Sequence, residues 1–259
     1  MTRATITVVV PARMASSRYP GKPLVTILGM PLIEHVRRRA LLASGVDDVV
    51  VATCDESIRD VVIAAGGRAV MTADTHERCT DRVEEAMRHL TGDVVVMVQG
   101  DEPLLMPDAV SRVAQPLIER DEVVCANLLS PLESDADLAN PNIVKAACDQ
   151  SGRVMFLSRA HIPFFRKRIE CPIYRQTGIM AFRASLLRTY ATLSETPFER
   201  AEAIDMLRLL EHGYPIHGVV VDYPTVGVDR PEDVAIVERR LSEDPVQRGL
   251  YDRITAVAK

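Results

Sequence analysis

The chain has 259 residues, 47% of them apolar, and a net charge of −5, enough to bury the core of one large α/β domain. The acidic balance excludes non-specific binding to nucleic acid, so any basic cluster must be a local feature. No run of about 18 apolar residues occurs, which excludes a membrane-spanning helix, and the N-terminus enters a strand without an apolar leader, which points to the cytoplasm.

The first predicted element is a buried strand at residues 6–10, carrying Ile6 and Val8 to Val10. A helix follows over about 32–44, with Ile33, Val36, Ala40 and Ala43 on one face. Next come a strand at 48–54, a helix at 58–65 ended by Gly66 and Gly67, and a short strand at 69–72. The spacing of Val83, Ala86, Met87 and Leu90 predicts another helix, and 94–98 is an apolar strand of the kind found inside a parallel sheet. This alternation predicts an α/β fold with a doubly wound, mixed but mainly parallel sheet, Rossmann-like, that binds ligands beyond the carboxyl ends of its strands. The second half offers short strands at 123–128, 143–148, 154–157 and 178–182, suited to an antiparallel extension. Helices are expected at 184–192 and 201–211, and through Val234, Val237 and Leu241. No linker divides the chain, so 1–259 reads as a single domain with an inserted α+β lobe at about 125–215, then a loosely packed terminal helix after Ser242. Arg37, Arg38 and Arg39 read as a solvated helix face. His35, His89, His161, His212 and His217 lack metal-ligand spacing and read as surface or capping residues. The cysteines at 54, 79, 125, 148 and 171 form no CxxC pair, which fits a reducing compartment.

Three segments carry chemistry. Residues 11–24 place Arg13, Arg18 and Lys22 in a loop rich in proline, serine and small residues. Such a loop can surround a triphosphate with charge and free N–H groups, or it can be a solvated basic loop. Gln99-Gly100-Asp101-Glu102-Pro103 follows the apolar strand and sets Asp101 where open α/β sheets bind ligands. Asp101 is then a candidate Mg²⁺ ligand or part of an acidic turn. In Val226-Gly227-Val228-Asp229-Arg230-Pro231-Glu232-Asp233, Asp229 is a second candidate ligand or a helix N-cap.

Residues 11–24 resemble, nearly position for position, the N-terminal signature of the 3-deoxy-manno-octulosonate (Kdo) cytidylyltransferase, or CMP-Kdo synthetase, family. The resemblance extends through residues 31–40, 51–53, 140–145, 156–159 and 207–213, so it covers nearly the whole chain in one order. It implies a CTP-dependent enzyme that joins CMP to an acidic acceptor, most simply Kdo, and releases pyrophosphate. It implies Mg²⁺ on Asp101 and Asp229, which with Lys22 form the catalytic set. Arg13, Arg18 and Lys22 would hold the β- and γ-phosphates, and Ala12, Ser16 and Ser17 would lie against the base. Thr80, Asp81, Arg82, Gln99 and Gly100 complete the implied nucleotide site, and Arg159, Gln176 and Asp205 the acceptor site. A homodimer is implied, with Leu186, Leu187, Tyr190 and Leu193 as a candidate apolar patch. Three departures stand out: Arg78-Cys79 in the 76–82 loop, Gln176 where a histidine is usual after a shortened 168–176 segment, and Asp205-Met206 where the family has Glu-Gln. Met206 reads either as core packing or as a lost hydrogen-bonding amide. The departures leave open a different acceptor, such as a modified octulosonate or a small phosphonate. A non-catalytic nucleotide-binding homologue and a hexose-1-phosphate nucleotidyltransferase are further alternatives.

Overall fold

The computed structural model describes residues 3–16, 18–167, 169 and 171–256. β1 (Ile6–Ala12) leads through a short 3-10 turn at Lys22–Leu24 and a small hairpin, β2 (Thr26–Ile27) and β3 (Met30–Pro31), into α1 (Leu32–Ala40). β4 (Asp48–Thr53), α2 (Glu56–Ala64), β5 (Arg68–Met71), α3 (Cys79–Met87) and β6 (Val94–Val98) then alternate as the apolar pattern predicts. α4 (Pro107–Glu119) was not anticipated. Its apolar face, Ala109, Val110, Val113, Ala114 and Leu117, is buried, but Pro116 inside the helix breaks the local signal. The second half comprises β7 (Cys125–Pro131), α5 (Asp135–Ala139), β8 (Lys145–Cys148), β9 (Val154–Ser158), β10 (Tyr174–Arg183) and α6 (Ala184–Tyr190). It ends with α7 (Pro197–Glu202), α8 (Met206–Glu211), β11 (His217–Val220), α9 (Asp233–Glu243) and α10 (Pro245–Ala256).

The main sheet runs β11-β7-β10-β6-β1-β4-β5. β6, β1, β4 and β5 are parallel, β10 is antiparallel to both β6 and β7, and β11 is parallel to β7. Of the segment 125–215, β7 and β10 are integral to this sheet, whereas β8 and β9 form an antiparallel extension from β10. Successive strand residues feed opposite layers: Val8 and Val10 join the core on one face, Val9 the core on the other. The first layer packs α1, α2, α4 and α9 residues and the second packs α3, α6 and α8 residues, which makes the sheet doubly wound. From β1 the chain winds outward to β5 and then returns to β6 on the other side. The carboxyl ends of β1 and β6 therefore flank the switch point where such sheets bind ligands.

Several sequence-based readings need correction. The terminal helix is firmly docked, because Gln247, Leu250 and Ile254 of α10 are buried. Arg39 is fully buried and donates to Gln247 Oε1 at 2.8 Å and Leu105 O at 3.2 Å. Arg37 forks onto Glu34 with two bonds of 2.7 Å, and Arg38 joins Glu34 to the Ile254 carbonyl, so the arginine run clasps α1 to its neighbours instead of facing water. His35 is likewise buried, bonded to the Ile27 carbonyl and stacked on Tyr251. Leu186, Leu187 and Tyr190 lie in the second core layer and cannot form a surface patch. The helix expected over 201–211 is broken between α7 and α8, where Ala203 adopts φ 52°.

Candidate active site

The basic loop is shaped by its backbone. Met14 O accepts from Ser16 N and Gly21 N, and Met14 N donates to Asp55 Oδ2. Gly21, at φ 77°, takes a left-handed conformation that glycine tolerates best and turns the chain so that Lys22 points back over the sheet. Lys22 Nζ lies 2.8 Å from Asp101 Oδ2 and 3.8 Å from Asp229 Oδ1. Arg18 reaches Asp229 Oδ1 at 2.9 Å and Asn142 Oδ1 at 3.4 Å, and Arg13 donates to His76 O at 3.3 Å. Ala12 ends β1 with little exposure, and Ser16 lies in the turn. Ser17 falls outside the described residues.

Asp101 follows β6 directly. A Cβ at Gly100 would stand 3.0 Å from Pro11 O, so glycine there lets the ends of β1 and β6 close together. Val228 N donates to Asp101 O at 2.8 Å and ties the two carboxylate segments to each other. Asp233 takes the capping role considered for Asp229: its Oδ2 accepts from the backbone N–H groups of Asp229 and Arg230, both at 2.8 Å. The Asp229 side chain is thereby left to the cleft.

Two carboxylates thus converge on one cation, the Lys22 ammonium, which stands where a metal could. Among the described residues no group of three or more His, Cys, Asp or Glu side chains could hold a metal. A pair of hard oxygen donors beside a phosphate site suits Mg²⁺, which keeps several waters and shares phosphate oxygens. The residues fit that ion. Glu102 is buried beside Asp101, and burial pushes its pKa up to about 7, with Asp101 adding to the rise and Arg175 opposing it.

The same cleft, of about 190 Å³, is lined by Arg18, Gln99, Asp101 and Asp229 together with Arg159, Gln176 and Asp205. Arg159 is braced by carbonyls, with Nε on Glu202 O at 2.7 Å and one terminal nitrogen on Pro141 O at 3.2 Å. Among the described residues its other terminal nitrogen has no protein partner. Lys145, fully buried, donates to the carbonyls of Asn140, Ile143 and Arg159 and fixes the loop beneath the guanidinium. Gln176 Nε2 donates to Asn127 Oδ1 at 2.8 Å, at the irregularity where β10 shifts register against β7. Asn127 and Arg175 escaped the sequence reading. A polar residue inside the predicted strand 123–128 was the available signal for the first.

The 76–82 loop, expected to meet the nucleotide, makes these contacts within the protein. Thr80 has no exposed surface, and its hydroxyl donates to Asp205 Oδ2 at 2.6 Å. Asp81 pairs with Arg208 at 3.3 Å, and burial raises its pKa. Arg82 is nearly buried and donates to the Thr72 hydroxyl and the Ala73 carbonyl. Because α3 begins at Cys79, its first turn faces α8 and braces Asp205. Arg78 Nε lies 3.8 Å from Glu199 Oε1, and burial pushes the Cys79 thiol up to about 12, so it stays protonated. Met206 is fully buried in the second core layer, as its packing reading expected.

The family model for cytidylyltransferases matches residues 7–217. The chain belongs to the cytidylyltransferase family. This cytidylyltransferase is 39% identical to the 3-deoxy-manno-octulosonate cytidylyltransferase of Geotalea uraniireducens, over 92% of this chain and 99% of that protein. It is equally similar, at 39%, to the 8-amino-3,8-dideoxy-manno-octulosonate cytidylyltransferase of Shewanella halifaxensis, over 92% and 99% of the two chains. The solved structure of a CMP:2-keto-3-deoxy-manno-octonic acid synthetase complexed with CTP superposes with a TM-score of 0.88 at 36% identity, covering 93% of this chain and all of that one. A cytidylyltransferase from Leptospira borgpetersenii shares the fold at 15% identity and a TM-score of 0.63. The cytidylyltransferase is therefore a nucleotidyltransferase, and Arg18, Asp101, Asp229, Arg159, Gln176 and Asp205 line one cleft of it.

Proposed function

We propose that the chain transfers CMP from CTP to Kdo and releases pyrophosphate. The observation that carries this reading is the convergence of Lys22, Asp101 and Asp229 at the switch point, in a cleft that the braced Arg159 also lines. In the reaction an acceptor hydroxyl oxygen forms a bond to the α-phosphorus. The bond to the bridging oxygen breaks, pyrophosphate leaves with the electron pair, and the hydroxyl proton passes to solvent. Asp101 and Asp229 would hold Mg²⁺, which supplies neutralisation of the charge that develops on the phosphoryl oxygens. Arg13, Arg18 and Lys22 bind and orient the β- and γ-phosphates. Arg159 offers its unpaired nitrogen to the acceptor carboxylate, and Gln176 and Asp205 hydrogen-bond its hydroxyls.

The relatives named for the 8-amino sugar acid, as similar as those named for Kdo, favour that analogue as a second acceptor. A small phosphonate gains no such support, because buried Met206 takes no polar group away from the cleft. We further propose a homodimer in the cytoplasm. Its apolar contact would come from exposed side chains such as Met155, Phe164 and Phe198, in place of the buried patch first considered, and the free cysteines at 54, 79, 125, 148 and 171 suit a reducing compartment.

Asp101→Asn and Asp229→Asn test the assignment. Each should lower kcat with CTP, Mg²⁺ and Kdo by about a hundredfold or more, measured as pyrophosphate release. Rates like the parent's in both variants would refute the role given to the pair.

A further inference from the structure

We infer that Thr80 is a positioning residue for the acceptor: its hydroxyl holds the Asp205 carboxylate in the cleft wall and so sets affinity for the sugar acid. The inference rests on Asp205 being an acceptor contact in the reading above.

The argument begins with charge. Asp81, Glu199 and Asp205 bring three carboxylates to the packing between α3, α7 and α8. Arg208 is the cation placed among them, and its guanidinium is already committed. Nε and one terminal nitrogen fork onto Glu199 at 2.8 and 2.7 Å, the other terminal nitrogen meets Asp81 at 3.3 Å, and the plane lies over the Tyr190 ring. Arg78 adds a second cation on Glu199, at 3.8 Å. Among the described residues none of these cations pairs with Asp205. Its side chain accepts one short bond, from Thr80 Oγ1 at 2.6 Å, and makes no capping bond to α8 although Asp205 occupies the N-cap position.

The backbone makes that bond more consequential. Asp205 sits in the break between α7 and α8, after Ala203 in the left-handed region at φ 52°, and the three residues 203–205 all line the cleft. A side chain on such a connection is not held by helix packing alone. Thr80 is held, because it is fully buried in the first turn of α3. Its hydroxyl supplies the donor that fixes the rotamer of Asp205, and its burial denies it direct contact with either substrate. A hydrogen bond to a half-buried carboxylate is stronger than one at the open surface, and losing it frees the side chain to turn in the cleft.

Removing this donor should act on acceptor binding in ground and transition state alike. It should therefore raise KM for the acceptor while sparing kcat and the KM for CTP. The experiment is steady-state kinetics of pyrophosphate release with Kdo and CTP varied in turn, for the parent protein, Thr80→Val, Thr80→Ser, Asp205→Asn and the double variant Thr80→Val/Asp205→Asn. We expect Thr80→Val to raise KM for Kdo roughly tenfold, Thr80→Ser to restore the parent value, and Thr80→Val to add nothing in the Asp205→Asn background. Thr80→Ala replaces the valine variant if the latter does not fold. If Asp205→Asn raises KM for Kdo but Thr80→Val leaves it unchanged, the inference is overturned and the acceptor reading survives. If Asp205→Asn leaves it unchanged, both fall. A rise in KM for CTP instead of Kdo would also overturn it and return Thr80 to the nucleotide site.

Discussion

At the scale of single residues, burial decides between readings that the sequence leaves equal. His35 is the clearest case. Desolvation, with Arg39 and Arg38 nearby, lowers its pKa to about 4 from the usual 6.5. A base whose folded pKa is depressed binds a proton more weakly in the native state. Stability is therefore full above about pH 6.5 and is lost as the pH falls from there towards 4. Urea unfolding of the parent and of His35→Gln, which keeps an N–H for the Ile27 carbonyl, should show the parent losing about 3 kcal/mol more between pH 7 and pH 4. Equal losses would mean that the ring is protonated as readily folded as unfolded. The same contrast governs the carboxylates. Asp101 and Asp229 were legible from a strand end and a Pro-Glu-Asp run. That Asp233 would cap the turn and free Asp229 required the hydrogen bonds themselves. Thr80 was legible as a site candidate, but its hydrogen bond to Asp205 was not, because a motif places a residue in a loop without saying which way its helix faces.

At the scale of elements, periodicity was reliable wherever strands were apolar on both faces and helices had one clean stripe. It located β1, β4, β6, α1 and α3. It missed α4, whose internal proline hides the stripe, and it joined α7 to α8 across Ala203, because alanine gives no warning of a left-handed turn. It also undervalued α10. A helix with few apolar residues reads as loosely packed, yet here Gln247 Oε1 accepts from the buried Arg39 guanidinium at 2.8 Å and its Nε2 donates to Leu104 O at 3.2 Å. Gln247→Ala leaves that guanidinium short of an acceptor inside the core, at a cost of about 2–3 kcal/mol. Thermal unfolding should show a Tm lower by several degrees. A Tm equal to the parent's would show that α10 is only loosely attached, as its composition suggests.

At the scale of the whole molecule, the chain winds outward from β1 to β5 and back to β6, which brings the basic loop and Asp101 to one crevice. β10, antiparallel to both its neighbours, carries Gln176 to the same crevice, and the β8–β9 extension carries the braced Arg159 to it. The residues proposed for the nucleotide and for the acceptor are thus gathered at one sheet. Among the described residues no helix is long and apolar enough to cross a membrane. The central claim is that this crevice joins CMP to Kdo. Phosphorus-31 NMR of the protein with CTP, Mg²⁺ and Kdo tests it most directly, since it reads both products at once. The account predicts loss of the triphosphate signals with growth of a single phosphodiester resonance and of a pyrophosphate signal of twice its intensity. CTP that persists unchanged, or is hydrolysed to CMP without forming the diester, would contradict it.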